Sequence, residues 1–153
     1  MERRIILKNS LTELDRLAEA VEEFVEECAL PMKAVFETNL VLEEVVTNVI
    51  SYGYEHGGEH LIRIDLRWEQ PQLTIQITDD GAPFNPLELP PPDLDQSVEE
   101  RDIGGLGIYF VRQLMTEAAY ERQAEKNILT LRKFWPEPDM PDGGEEGSVP
   151  DNG

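Results

Sequence analysis

The chain has 153 residues, of which 40% are hydrophobic and 29% are charged, a composition typical of a soluble globular domain. Its formal net charge of −19 would repel nucleic acid and anionic lipid, so we expect neither direct nucleic-acid binding nor membrane binding. No apolar stretch approaches the roughly 20 residues of a membrane span, and no signal peptide precedes Arg3 and Arg4, so we expect a cytoplasmic protein.

The acidic residues divide the chain into a folded part and a tail. Residues 136–153 hold six acidic residues and no basic one, among many prolines and glycines, which predicts a disordered acidic tail. Residues 1–135 then form one domain, whose net charge is about −13 once the six acids of the tail are set aside. An acidic surface of this kind would attract a protein partner with a basic surface.

The first half of the chain predicts a strand followed by two helices. Residues 3–7 read as a short strand, and Ser10 to Glu13 form a capping-box signature that opens a helix with an apolar face. Pro31 suits the first turn of a second helix, which we extend to about residue 52 and end at Gly53.

The second half predicts two hairpins separated by a loop and a third helix. Residues 61–68 alternate between apolar and polar, and Leu73, Ile75 and Ile77 repeat that pattern after a turn near Pro71. Residues 82–103 contain five prolines and read as an irregular functional loop. A helix over about 106–118 and a closing hairpin of residues 120–123 and 128–134 complete an α+β pattern.

The second helix carries two polar residues on one face. Glu44 and Asn48 are four residues apart and have mainly apolar neighbours, so burying them requires partners. Mg²⁺ takes oxygen ligands, so the amide oxygen of Asn48 would suit a metal, with Glu44 left as a general base toward a hydroxyl. The alternative is a solvent-facing Glu44 and an Asn48 with local hydrogen bonds.

The end of the third predicted strand offers a carboxylate beside a glycine. Asp79 could accept a hydrogen bond from an adenine amino group, because Gly81 permits a close approach of the backbone. The alternative is an ordinary Asp-Gly turn.

A glycine-rich segment precedes the third predicted helix. The segment Gly104-Gly105-Leu106-Gly107 would expose backbone N–H groups at a helix N-terminus, where an anion is favoured, and Arg101 could reach a terminal phosphate. It is neither a P-loop nor a dinucleotide fingerprint, and a flexible hinge is the alternative. The order of all three segments favours a nucleotide site.

Quoted together, LEEVVTNVISYGY, ITDDGAPFNP and IGGLGIYFVRQLM resemble the three ATP-binding boxes of the GHKL ATPase superfamily. Within it, residues 3–135 most resemble stand-alone anti-sigma factor serine/threonine kinases of bacteria. The resemblance implies a two-layer α/β sandwich of the Bergerat ATP-binding type, in which three helices cover a mixed, mainly antiparallel sheet. It also implies ATP and Mg²⁺ as cofactors.

By position, the resemblance implies roles for the residues already singled out. Glu44 matches the catalytic glutamate and Asn48 the magnesium-binding asparagine. Asp79 and Gly81 match the adenine-binding pair. On the phosphate side, Gly105 and Gly107 match the family's glycines, with Gly104 and Leu106 beside them, and Arg101 is similar to a lid arginine.

The chain also departs from the family pattern at two places. Pro83 stands where many members have a second glycine. The Gly-Thr of the final box is absent, and Asn127, which sits nearest that position, is interpreted as a turn residue.

The resemblance implies a kinase that phosphorylates a serine of a STAS-type antagonist, holds a sigma factor or similar regulator, and forms a homodimer. One alternative is a nucleotide-dependent binding module without kinase activity. A histidine kinase fragment is disfavoured because the only histidines, His56 and His60, lie in a glycine-rich loop.

Overall fold

The computed structural model describes residues 1–88 and 105–135, and of residues 105–109 it describes the backbone alone. Five strands form one sheet in the order β1-β2-β3-β5-β4, and each neighbouring pair is antiparallel. The strands are β1 (Glu2–Lys8), β2 (Leu61–Glu69), β3 (Gln72–Asp79), β4 (Glu117–Gln123) and β5 (Lys126–Phe134).

Three helices form the second layer. They are α1 (Leu14–Glu27), α2 (Met32–Tyr52) and α3 (Gly105–Leu114), and both α1 and α3 pack against α2. None of the helices in these described ranges is long and apolar enough to cross a membrane. The expected α+β sandwich with three helices on a mainly antiparallel sheet is therefore confirmed, although all four strand pairings described are antiparallel and the sheet is not mixed.

Strand β2 shows how the sheet acquires a buried face. Ile62, Ile64 and Leu66 are almost fully buried against the helices, while the residues between them face solvent. Each such side chain contributes about 1.5–3 kcal/mol on burial, so the two-residue alternation fixes which face the helices cover. On the open face, Asp65 accepts hydrogen bonds from Arg4 at 2.7 Å and from Arg63 at 3.1 Å.

A buried ion pair joins α2 to β5. The Nζ of Lys133 lies 3.6 Å from Oε1 of Glu37, and the two residues are 6% and 5% exposed. The ammonium also lies 5.3 Å from the ring centroid of Trp135. Removing one partner of such a pair typically costs about 3–5 kcal/mol, because the other charge stays buried without compensation.

The entry to α1 differs in detail from a capping box. The hydroxyl of Ser10 accepts from the backbone N–H of Thr12, and a single 3₁₀ turn (Leu11–Glu13) precedes the α-helix. The carboxylate of Glu13 accepts from the N–H of Lys8 at 2.8 Å, at the end of β1. The capping residues therefore tie the helix to the preceding strand.

The predicted third helix was wrong at its C-terminus. Residues 117 and 118, which we assigned to the helix, belong to β4, and the helix ends at Leu114. The N–H of Thr116 bonds the carbonyl of Arg132 at 2.8 Å, and Glu117 pairs with Arg132 in the sheet. These hydrogen bonds come from the edge of β5 that faces away from β3, and they outweigh the helical propensity of Glu117 and Ala118.

The irregular loop is described only at its start. Residues 82–88 contain a single 3₁₀ turn, Pro86–Glu88. Residues 89–104, with the remaining three prolines, and the acidic tail 136–153 lie outside the described residues. The division into a domain and a disordered tail therefore stays a prediction.

Candidate functional site

A pocket opens between the C-terminal half of α2, the end of β3 and the β4–β5 hairpin. Its polar lining consists of Asn48, Asp79, Tyr120 and Asn127, and its other walls are mostly aliphatic or aromatic. Two residues that the sequence indicated from separate segments, Asn48 and Asp79, are thus brought together. An apolar pocket with a few convergent polar groups is the usual form of a small-molecule site.

Asp79 is fixed at the end of β3 by two donors. Its Oδ1 accepts from the N–H of Gly81 at 2.8 Å and from Nδ2 of Asn127 at 2.9 Å. The residue is only 5% exposed. Burial raises the pKa of this carboxyl, and the hydrogen bonds from Asn127 and Gly81 oppose that rise.

Asn127 is a residue of the pocket whose place there the sequence interpretation missed. We expected a turn residue, but Asn127 is only 6% exposed, and its side chain joins Asp79 to the residues that follow β3. Nδ2 donates to Asp79 and, at 2.9 Å, to the carbonyl of Ala82, while Oδ1 accepts from the N–H of Phe84 and from the hydroxyl of Tyr120. The signal in the sequence was its phase, since Asn127 shares the inward register of Leu129 and Leu131.

The end of α2 rests directly on the turn after β3. The N–H of Ala82 donates to the carbonyl of Gly53 at 2.8 Å. A Cβ on Gly81 would lie 2.7 Å from that same carbonyl oxygen, so no larger residue fits without a shift. Arg122 also donates to the carbonyl of Gly81 at 2.8 Å. Glycine at position 81 is thus required by the contact between backbones.

Asn48 lines the pocket with an unused amide. It is 2% exposed, and neither its Oδ1 nor its Nδ2 has a hydrogen-bond partner within residues 1–88 and 105–135. Such an orphaned amide normally costs about 1–3 kcal/mol, which a bound ligand can recover. The local hydrogen bonds of the alternative interpretation are absent from this part of the chain.

Glu44 lies one turn before Asn48 on α2 and is partly buried. Burial raises the pKa of its carboxyl, and the neighbouring charge of Glu43 adds to the rise. Glu44 is not among the residues that line the pocket. A carboxyl with a raised pKa is a stronger base once it is ionised.

The glycine-rich segment is described in part. Gly105, Leu106 and Gly107 form the first turn of α3, at the helix N-terminus that the sequence predicted. Arg101 and Gly104 lie outside the described residues, so their proposed contacts stay predictions.

The described residues contain no cluster of three or more His, Cys, Asp or Glu that could hold a metal ion by itself. The oxygen of Asn48, which has no partner among the described residues, nevertheless fits as one of the few protein ligands that Mg²⁺ takes when phosphates and water supply the rest.

The chain belongs to the histidine kinase-like ATPase domain family, whose sequence model matches residues 7–133. This match spans the three helices and the strands around the pocket. The class of protein is therefore that of the histidine kinase-like ATPase domains.

The chain is also similar to individual bacterial proteins that are named as kinases or anti-sigma factors. The chain is 29% identical over 96 residues to the serine/threonine-protein kinase BtrW of Bordetella bronchiseptica, covering 63% of this chain and 68% of the relative. It is 29% identical over 119 residues to an anti-sigma F factor of Clostridium beijerinckii, covering 75% and 82%. The serine-protein kinase RsbW of Listeria monocytogenes is 22% identical over 118 residues, covering 65% and 75%.

Among solved structures, the chain is similar to the histidine kinase domain of the blue-light activated histidine kinase of Erythrobacter litoralis EL346. The TM-score is 0.53 at 17% sequence identity, over 82% of this chain and 61% of that one. A likeness at this identity supports the fold.

Proposed function

We propose that the protein is an ATP-dependent serine/threonine kinase of the anti-sigma factor type. The observation that carries the proposal is the pocket in which an orphaned amide, Asn48, and a buried carboxylate, Asp79, meet in a member of this ATPase family. The kinase and anti-sigma names of its relatives support the same class.

Each residue has one task in the proposed reaction. Asp79 accepts a hydrogen bond from the adenine amino group, and Asn48 holds Mg²⁺, which when bound neutralises phosphate charge. The acceptor hydroxyl oxygen bonds to the γ-phosphorus as the bond to the leaving ADP oxygen breaks, and Glu44 takes the hydroxyl proton. The segment 104–107 and Arg101 contact the phosphates.

The proposed partners follow from the same class of proteins. The phosphate acceptor is a serine on a STAS-type antagonist, and the regulator held is a sigma factor or a similar protein. We further propose that the protein works in the cytoplasm as a homodimer. Its acidic surface, net about −13 without the tail, suits a partner with a basic face.

One observation favours a second candidate, a nucleotide-dependent binding module without phosphoryl transfer. Glu44 stands outside the pocket lining, so catalysis requires that an acceptor approach α2 from the side of Glu44. Transfer of labelled phosphate from ATP to STAS-domain proteins of the same organism, lost in Glu44→Gln with ATP binding intact, would favour the kinase. ATP binding without transfer to any of them would favour the module.

The nucleotide site itself is tested by calorimetric titration of ATP with and without Mg²⁺. We expect Asn48→Ala to weaken Mg-ATP binding about tenfold or more and to change metal-free ATP binding much less, because it removes a metal ligand. Asn39→Ala is the matched control, since Asn39 is on the same helix but outside the pocket. Folded wild-type protein that binds no ATP would overturn the proposal.

A further inference from the structure

The nitrogen and the oxygen of the Asn127 amide both have hydrogen-bond partners, so the amide is held in one orientation. Its Nδ2 donates to Oδ1 of Asp79 and to the carbonyl of Ala82, both at 2.9 Å. Its Oδ1 accepts from the N–H of Phe84 at 3.2 Å and from the hydroxyl of Tyr120. Rotating the amide by half a turn would set donors against donors and acceptors against acceptors, so the rotation is disfavoured.

This fixed amide determines which oxygen of Asp79 is available. Oδ1 is occupied by the N–H of Gly81 as well as by Asn127. Both hydrogen bonds that Asp79 accepts from described residues go to Oδ1, and none of them goes to Oδ2. Asp79 also lines the pocket, among mostly apolar walls. The pocket therefore presents a single carboxylate acceptor that a ligand must match with a donor.

We propose that Asn127 is a positioning residue for nucleobase selection, which holds Asp79 so that Oδ2 accepts the 6-amino group of a purine and rejects a 6-oxo purine. This inference rests on the proposed nucleotide-binding function. An amino group donates to Oδ2, whereas a ring carbonyl would place an acceptor against a buried acceptor.

Asn127 lies nearest the position of the absent Gly-Thr pair, and its side chain connects Asp79 with the first residues after β3. Asparagine supplies two donors and two acceptor lone pairs from one side chain. It uses them to bind Asp79 and the first residues of the loop after β3 together.

The test is a thermodynamic cycle that compares two nucleotides, with and without the 6-amino group, in wild type and in Asn127→Ala. Affinities for ATP and for purine riboside triphosphate, which lacks the 6-amino group, are measured on the full chain by titration calorimetry. In wild type we expect loss of the amino group to weaken binding by about 10- to 100-fold, as for a hydrogen bond to a charged group. In Asn127→Ala the same loss should weaken binding less than about threefold, because Asp79 then keeps only the N–H of Gly81 as a donor and its carboxylate is less firmly oriented.

Two further variants keep the test decisive. Tyr120→Phe removes only the hydroxyl that Asn127 Oδ1 accepts from, so it should lower the amino-group effect even if Asn127→Ala does not fold. Gln76→Ala is the matched control, because Gln76 bonds Thr130 across the same two strands on the open face of the sheet. We expect Gln76→Ala to keep the wild-type amino-group effect.

The outcomes separate this inference from the function on which it rests. ATP binding with an equal amino-group effect in wild type, Asn127→Ala and Tyr120→Phe would overturn the role of Asn127 and leave the nucleotide site standing. No binding of either nucleotide to folded wild type would overturn both.

Discussion

The carboxylate of Asp79 is held where its charge is unfavourable. The side chain is 5% exposed, and burial raises its pKa from an ordinary value of 3.8 in spite of two hydrogen bonds. The folded protein therefore holds this proton more tightly than the unfolded chain. The contribution of Asp79 to stability decreases as pH rises through the folded pKa and is fully unfavourable above it.

We therefore expect Asp79→Asn to stabilise the ligand-free protein at pH 7 by about 1 kcal/mol while abolishing ATP binding. The asparagine oxygen can still accept from Gly81 and Asn127, but no buried charge remains. The gain should shrink as the pH is lowered toward the ordinary carboxyl range. Urea unfolding at pH 7 and near pH 5, with ATP titration, measures both effects.

Asp65→Asn is the matched control for this prediction. Asp65 lies on the open face of the sheet with Arg4 and Arg63, where ion pairs contribute only about 0–1 kcal/mol. We expect little change in the free energy of unfolding and no change in ATP binding. A loss of stability in Asp79→Asn at pH 7 would contradict the argument.

At the scale of elements, the site depends on how closely α2 approaches the turn after β3. The carbonyl of Gly53, at the C-terminus of α2, accepts from the N–H of Ala82. Because Gly81 has no side chain, its backbone can lie against Gly53 at this point. The same contact places Asn48 of α2 and Asp79 of β3 in one pocket.

We expect Gly81→Ala to destabilise the protein by about 1–3 kcal/mol and to weaken ATP binding, because the added Cβ would lie 2.7 Å from the Gly53 carbonyl oxygen and 3.0 Å from Oδ1 of Asp79. Thermal unfolding and ATP titration measure the two effects.

Gly57, in the loop before β2, provides the control. It has φ +74°, and a Cβ added there would meet nothing within 4 Å, so Gly57→Asn should change neither the stability nor the ATP affinity much. Equal stability of Gly81→Ala and wild type would contradict the close contact.

At the scale of the whole molecule, the charge is strongly unbalanced. The net charge is −19, and 32 acidic residues face only 13 lysines and arginines. Like charges this numerous repel one another more in the compact state than in the expanded chain. The described ion pairs lie mainly at the surface, where salt screens them as well.

We therefore expect the protein to become more stable by about 1 kcal/mol as NaCl rises from about 0.02 to about 0.3 M, because screening shortens the range of the repulsion. Urea unfolding at each salt concentration gives the free energy. The same series in KCl distinguishes general screening, which both salts provide, from specific binding of Na⁺. Stability that falls with salt would mean that the surface ion pairs outweigh the net repulsion.

Local patterns in the chain were enough to predict several parts of this protein. Alternation predicted the buried face of β2, helical spacing placed Glu44 and Asn48 one turn apart on α2, and the order of three segments identified the ATPase family. These features depend on residue spacing along one element, which the chain fixes without reference to its neighbours.

Features that need two distant segments followed only from the folded arrangement. Helix α3 ends at Leu114 and β4 begins at Glu117 because the edge of β5 that faces away from β3 offers hydrogen bonds to this segment, although local propensity favours a helix there. Asn127 donates a hydrogen bond to Asp79 because antiparallel pairing of β3 with β5 sets the two side by side. Such partners lie 48 residues apart in the chain, so no local pattern could reveal the hydrogen bond between them.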